Sequence, residues 1–278
     1  MVKIYPFKAL MPSAEEAPFV ASEPYDVIDT EEARERAAGN DRSFLHVVRS
    51  EIDFPPGTDA YSPDIYRKAA ENLETLVRRG HLIEQEVPGI FIYRQVYDGR
   101  EQYGIVCCYD VEHYRSGEIK KHEKTRPVKE DDRTRHMTTL SAHAEPVFLA
   151  FNDDPRIESL IRKDALGEPL IDFEAADGVS HTIWKVDDPS AYVAAFGELD
   201  RLYIADGHHR TAASERAATQ RQAGNSGHGG DEEYNRIMAV LFPAGQLKIL
   251  PYNRVVADLN GLSVDEFMDK LRSAGTVE

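Results

Sequence analysis

The chain has 278 residues, 33 of them Lys or Arg and 49 Asp or Glu, for a formal charge of −16. That length suits one large domain or two small ones and needs no disulfide staple to bury a core. That charge argues against a general binder of nucleic acid or of anionic membranes, because phosphate backbones select basic faces. No run approaches the ~18 apolar residues of a membrane span, and "MVKIYPFKAL" lacks the basic-then-apolar pattern of a signal peptide. The only two cysteines, Cys107 and Cys108, are adjacent in "GIVCCYDV". Neighbouring strand residues face opposite ways, so this pair reads as strand core in a reducing, cytoplasmic setting.

In chain order, "VKIYPFKALM" and "FLHVVRS" read as strands, and "DTEEARERAA" as a helix capped by Asp29 or Thr30 and closed by Gly39. "YSPDIYRKAAENLETLVRRGHL" reads as a helix: Pro63 stands near its start, Gly80 follows it, and Ile65, Ala69, Leu73, Leu76 and Val77 share one face. Two β-rich runs flank Asp98-Gly99, a hairpin signal. Residues 115–143 are polar and dense in charge, and their plainest reading is a solvated loop and helix. From residue 146 onward strands and helices alternate: "PVFLAF", "DPRIESLIRK", "SHTIWKV", "DPSAYVAAFGEL", then "RLYIADGHHRTAASERAATQRQ". "YNRIMAVLFP" and "LKILPYNRVVADL" read as further strands, and "SVDEFMDKLRSAG" as a helix with a Ser263–Glu266 capping box. Residues 223–234, rich in Gly, read as a mobile loop. The fold class expected is α/β (mixed α+β). It divides into residues 1–115, an N-terminal α/β part with a hairpin, and 116–278, an α/β core. A further strand is expected beyond Glu278, so the chain reads as truncated at its C-terminus.

The chemistry concentrates where "LYIAD" turns into "GHHRTAA". A helix N-terminus carries unpaired N–H groups and a partial positive charge, and a glycine turn lets a phosphate approach them. Gly207 supplies that approach. His208 and His209 are expected to donate to phosphate oxygens, and Arg210 to fork onto two of them. Asp206 stands at the strand end, placed to hold Mg²⁺ or to accept a proton. A plain N-cap with a polar surface turn is the bland alternative. Shared zinc is disfavoured because successive residues at a helix start diverge by about 100°. Nor is this a Walker A loop, since the Gly-Lys-Ser/Thr ending is missing. A second cluster, "KKHEKTRPVKEDDRTRH", offers His122, Glu123, Thr125 and Arg133 among lysines and arginines. A carboxylate inside a basic patch is what a nucleotide-metal site needs. The segments 117–136 and 203–213 are therefore expected to meet, with Glu123 and Asp206 lining one cleft.

These residues carry a resemblance. "PYDVI", "FLHVVRSEID", "GEIKKHEKT", "PVF", "YIADGHHRTAA" and "LKILPYNRVV" together resemble the bacterial and archaeal domain-of-unknown-function family numbered ten-fifteen. Members of that family are typically longer. The Asp-Gly-His-His-Arg turn is also similar to the nucleotide-binding turn of the ParB/sulfiredoxin-like superfamily, which includes free serine kinases. The resemblance implies phosphoryl transfer from ATP or ADP, with Mg²⁺, to a small hydroxyl, free L-serine first. It implies that Gly207, His208, His209 and Arg210 cradle phosphates, and that Glu123 and Asp206 are base and metal ligand. His122, Thr125, Arg133 and Arg254 would support nucleotide binding, with His208 also near the chemistry. Asn253 departs from the histidine expected in relatives.

Three other functions stay open from sequence. One is a nucleotide-binding regulatory module without turnover. Another is a metal-dependent hydrolase using His122, Glu123, Asp206 and His208. The third, DNA partitioning, is opposed by the charge and by the lack of a helix-turn-helix. Partners expected are a nucleotide and a small-molecule substrate, with neither nucleic acid nor membrane; a homo-oligomer is left open.

Overall fold

The computed structural model describes residues 1–251, 253 and 255–276. The chain divides into two units, Met1–Leu247 and Lys248–Glu278.

The larger unit opens with β1 (Ile4–Tyr5) and β2 (Leu10–Met11). The single strand expected over 2–11 is thus two pieces, with Pro6 between them lacking an N–H for a ladder. Short helix α1 (Ala17–Val20) precedes α2 (Thr30–Ala37). There the Asp29 carboxylate accepts from the Glu32 N–H, and the Glu32 carboxylate accepts from the Asp29 N–H, both at 2.9 Å. Residues 44–50 are not a strand. They form α3 (Leu45–Val48) and enter a 3₁₀ turn over Ser50–Asp53. Leu45 and Val48 pack with Tyr25 and Ile28, while Val47 packs with Val20 and Leu76. A three-residue repeat shares a face in a helix, whereas a strand would have put Leu45 and Val47 together.

Helix α4 (Pro63–Arg78) buries Ile65, Ala69 and Leu76 as its spacing predicts, but Val77 is exposed. After β3 (Ile83–Glu84), strands β4 (Phe91–Tyr97) and β5 (Arg100–Asp110) form the expected hairpin. Tyr97 pairs with Arg100 across Asp98 (φ 50°) and Gly99 (φ 70°), the two positive φ values of a type I′ turn. Then come α5 (Val111–Arg115), β6 (Ile119–Lys120), α6 (Pro127–Leu140), β7 (Val147–Phe151) and α7 (Pro155–Asp164). They are followed by β8 (Ile171–Glu174), β9 (Ser180–Lys185), α8 (Pro189–Phe196), β10 (Leu202–Asp206), α9 (His208–Gly224) and β11 (Arg236–Pro243).

One nine-stranded sheet organises the unit, in the order β6-β10-β7-β11-β5-β4-β9-β8, with β1 also paired to β5. The pairs β10/β6 and β11/β7 are parallel and the others antiparallel, so the protein is of mixed α/β class. The boundary expected after residue 115 falls inside this sheet, which takes strands from both sides of it. Ile105, Cys107, Tyr109, Ile237, Ala239 and Leu241 alternate into one core with Ile157, Tyr192 and Phe196 from α7 and α8. Both cysteines are buried and free, and burial pushes their thiols up. A Cβ on Gly104 would come within 2.7 Å of Phe242 and Val240, so only glycine lets those side chains lie across β5. Helix α9 packs on β7, α5 and α6, and α6 packs in turn on α4. Ala212, Ala213, Ala217 and Ala218 of α9 are buried, which lets the helix sit close to its neighbours.

The Gly-rich stretch 223–234 is better tied than its composition implies. The Glu232 carboxylate accepts from the N–H groups of Gly229 and Gly230 at 2.6 and 2.9 Å, and Tyr234 bonds both Asn225 and His228. In the smaller unit, α10 (Val264–Ala274) has the expected capping box. The strand expected over 247–256 does not form among the described residues, where Ile249, Leu250, Val255 and Val256 are exposed. Arg254, expected as an anion contact, lies outside the described residues.

Candidate functional site

The site is built at the end of β10. Pairing with β7 runs Tyr203 to Ala150 and Ile204 to Leu149, then shifts so that Asp206 faces Phe148. Such a bulge re-aims the side chain that follows it. Gly207 then takes φ +94°, and a Cβ there would lie 3.2 Å from Arg210 Nε. Both facts demand glycine. Helix α9 begins at His208, leaving its first-turn N–H groups without helical acceptors.

The segment 121–126 crosses this helix start. Strand β6 delivers it, since β6 pairs with β10. The His122 N–H donates to His208 Nε2 at 3.4 Å, and the Arg126 N–H donates to His209 Nε2 at 3.0 Å. Both imidazoles therefore accept on Nε2. In His208 the proton then sits on Nδ1, which lies 3.9 Å from Glu123 Oε2, too far for a direct hydrogen bond. Burial, with His122 edge-on at 4.4 Å, holds the His208 pKa below the ordinary histidine value, so the ring is neutral at pH 7. Arg210 is almost fully buried and bonds both the Asp206 carboxylate and the Pro146 carbonyl.

Between these segments lies a polar cleft of about 180 Å³, lined by Glu123, Arg126 and Lys129 on one side and residues 206–210 on the other. Tyr25 and Asp26 close it. Tyr25 is fixed from behind: its N–H donates to Glu145 at 2.9 Å, and the Arg133 guanidinium stacks on its ring at 3.9 Å. Burial pushes the Tyr25 phenol up to about 12 and raises the Glu145 carboxyl, which Arg210 partly draws back.

The expected meeting of 117–136 with 203–213 is what the structure contains. Glu123, Asp206, Gly207, His208, His209 and Arg210 line one cleft. Their roles differ from the expectation in detail. The two histidines spend Nε2 on backbone donors, which leaves Nδ1–H as the donor each can offer, and Arg210 is engaged with Asp206 and Pro146, so all three help to position the turn. His122 is exposed and meets the His208 ring edge-on without lining the cleft. The Thr125 hydroxyl donates to the Glu130 carboxylate of α6 at 2.9 Å. Arg133 lines a neighbouring chamber of about 210 Å³ that shares Tyr25, Asp26 and Lys129 with the cleft. Arg126, Lys129, Tyr25 and Asp26 are the wall residues missed as site members. Only "PYDVI", quoted for its resemblance, pointed to the last two.

Glu123 and Asp206 are both largely exposed at the cleft mouth. Two carboxylates are a partial set for Mg²⁺, which keeps waters and takes phosphate oxygens for the rest. Among the described residues, no group of three or more His, Cys, Asp or Glu is spaced to hold a metal ion by itself. That removes the geometric support for a hydrolase centre made of His122, Glu123, Asp206 and His208. No helix among the described residues is long and apolar enough to cross a membrane.

Fold and site together define a mixed α/β protein with a glycine-started helix facing a charged cleft. The chain belongs to the family described as protein of unknown function (DUF1015), which matches residues 4–278. Neither a curated protein nor a solved structure matches the chain.

Proposed function

We propose that this protein is a cytosolic kinase for a small metabolite, transferring a phosphoryl group from ATP or ADP to a hydroxyl, with free L-serine the first acceptor to test. The observation that carries the reading is the cleft: a helix N-terminus opened by Gly207 faces Glu123, Arg126 and Lys129 across a polar space of metabolite size. The likeness of the Asp-Gly-His-His-Arg turn to the ParB/sulfiredoxin-like superfamily supports the same reading and suggests its core.

Phosphoryl transfer needs positioning and charge neutralisation more than covalent help from the protein. First-turn N–H groups of α9 would bind phosphate oxygens, with Arg126 and Lys129 adding charge. His208 and His209 hold the 121–126 segment against the helix start and so fix Glu123 over the cleft. Arg210 fixes Asp206. Asp206 would hold Mg²⁺, which when bound neutralises phosphate charge, leaving Glu123 free as base. The acceptor oxygen bonds the terminal phosphorus as the bond to the bridging oxygen breaks. Glu123, held by no side-chain bond, takes the hydroxyl proton, and the shortened nucleotide leaves.

The test is phosphorus NMR of the protein with Mg²⁺, ATP or ADP, and a pool of small hydroxy metabolites including L-serine. A new phosphomonoester signal, lost in Asp206→Asn, supports the kinase. Intact nucleotide with broadened signals moves the reading to a regulatory nucleotide-binding module.

A further inference from the structure

Tyr25 is the cleft residue that neither the glycine turn nor the facing segment explains. It sits in a tight turn, where the Val27 N–H donates to the Pro24 carbonyl at 3.2 Å. The residue is 7 % exposed and is fixed from three directions. Its N–H donates to Glu145 at 2.9 Å, the Arg133 guanidinium lies 3.9 Å from the centre of its ring, and Ile28, Leu45 and Val48 belong to the same buried cluster. Arg133 is itself held by Asp132, which accepts from the Tyr66 hydroxyl at 2.8 Å. The ring is thereby locked in one orientation.

The tip of that ring is treated differently. The hydroxyls of Tyr66, Tyr192 and Tyr234 are hydrogen-bonded, whereas Tyr25 Oη has no partner among the described residues. Nor is it sealed off: it is not one of the buried, partnerless atoms that lack accessible surface. The charges acting on the phenol include Arg210, which lines the cleft and not the neighbouring chamber. That sets the hydroxyl toward the β10–α9 wall. Burial pushes the phenol up to about 12, so it stays a donor at neutral pH. A rigid donor without a partner in the protein is what a ligand site needs, since its ordering cost is met on folding. Around it the cations Arg133 and Arg210 stand against the carboxylates of Asp26 and Glu145. Phosphate oxygens are strong acceptors, and the first-turn N–H groups of α9 suit the same group.

We propose that the Tyr25 hydroxyl binds a nucleotide phosphate held at the start of α9, donating to one of its oxygens from the closed end of the cleft. The phenol keeps its proton throughout. The inference deepens the kinase reading by adding a phosphate-binding residue from the N-terminal part of the chain, and it rests on that reading only for the phosphate.

The experiment is calorimetric titration of the full chain with Mg²⁺ and ATP, ADP or a non-hydrolysable ATP analogue, beside melting curves without ligand. Tyr25→Phe removes the hydroxyl and keeps the ring on Arg133. It should weaken nucleotide binding about ten- to a hundredfold, the size of one hydrogen bond to a charged group. Its ligand-free thermal midpoint should hold or rise, because no bond within the protein is lost. Tyr61→Phe is the control: Tyr61 lines the chamber and not the cleft, so nucleotide affinity should stay native. The assignment falls if Tyr25→Phe binds nucleotide as the native chain does, if its ligand-free midpoint drops along with affinity, or if Tyr61→Phe weakens binding as much. Nucleotide binding that depends on the Tyr25 hydroxyl without phosphoryl transfer would keep its role and overturn the kinase. Transfer with an unaltered nucleotide KM in Tyr25→Phe would do the reverse. A chain that binds no nucleotide would overturn both.

Discussion

The two sides of the cleft are built on opposite principles. The β10–α9 side is anchored in the sheet, and its side chains are spent on one another: Arg210 on Asp206 and Pro146, His208 and His209 on backbone donors of the facing segment. The 121–129 side is exposed, and Glu123 and Lys129 reach the cleft from residues that are otherwise solvated. The histidines and arginine of the dense motif therefore act as scaffold, while Glu123 and Lys129 stand in the cleft from the plainer-looking segment. A rigid wall facing a more open one suits a site that must admit and release a charged ligand.

The sharpest way to break this comparison is Glu123→Gln. If the open side carries the reacting group, the variant loses about 10²–10⁴-fold in kcat, the usual worth of a positioned base. Its thermal midpoint should stay within a degree or so, because the side chain is exposed. Steady-state phosphoryl transfer and a melting curve on the same preparation decide it. An unchanged kcat would hand the base role to Asp206.

Next in size is the anchoring of the open side, through α6. His136 is buried, with Nε2 at 2.9 Å from the Val47 carbonyl. Burial, then the charge of Arg133, lowers its pKa to about 4. A histidine whose folded pKa is depressed stabilises the fold fully above its unfolded value near 6.5, and loses that contribution as pH falls toward 4. The loss should be of order 3 kcal/mol, offset in part by His46, which the Asp53 carboxylate beside it raises. Urea midpoints between pH 7 and pH 4 should fall in the native chain and fall less in His136→Gln. Equal slopes in the two proteins would place the sensitivity elsewhere.

Legibility followed the same divide. The strand, the glycine turn, the helix and its alanine face were readable because each is local chemistry: an apolar run, a residue free at positive φ, and small side chains at helical spacing. The meeting of 117–136 with 203–213 was readable from composition, since a carboxylate among cations pairs chemically with a phosphate turn. What stayed hidden is set by distance in sequence. Nothing in "HHR" says that both rings will accept from the backbone of residues 122 and 126. Nothing near Tyr25 says that it will be clamped between Glu145 and Arg133, more than a hundred residues away. The misread 44–50 run fails for another reason, because a short apolar run fits a strand and a buried helical turn equally well.

The rigid side can be tested at its hinge. Gly207→Ala forces an L-residue to φ near +94° and brings its Cβ against Arg210. The conformational cost is about 1–2 kcal/mol. Nucleotide affinity should fall further than stability does, because Arg210 and Asp206 move with the turn. Urea unfolding and nucleotide titration separate the two. A variant that is destabilised but binds normally would show that the turn is only structural.

The smallest effect is expected where an ion pair joins the two sides. Arg216 of α9 meets Glu130 at 3.0 Å and Asp131 at 2.7 Å on α6. The Arg216 side chain is 37 % exposed, so water and salt screen the pair, and such contacts contribute roughly 0–1 kcal/mol. Arg216→Met should therefore cost less than about 1 kcal/mol, and the difference should shrink in 1 M salt. His209→Ala removes the Nε2 acceptor of the Arg126 N–H, a hydrogen bond to the backbone rather than an ion pair, so its cost should persist in the same salt. If instead Arg216→Met loosens the cleft as much as His209→Ala, measured by proteolysis at residues 121–126, the sides are held by charge, and the scaffold role assigned to the histidines is wrong.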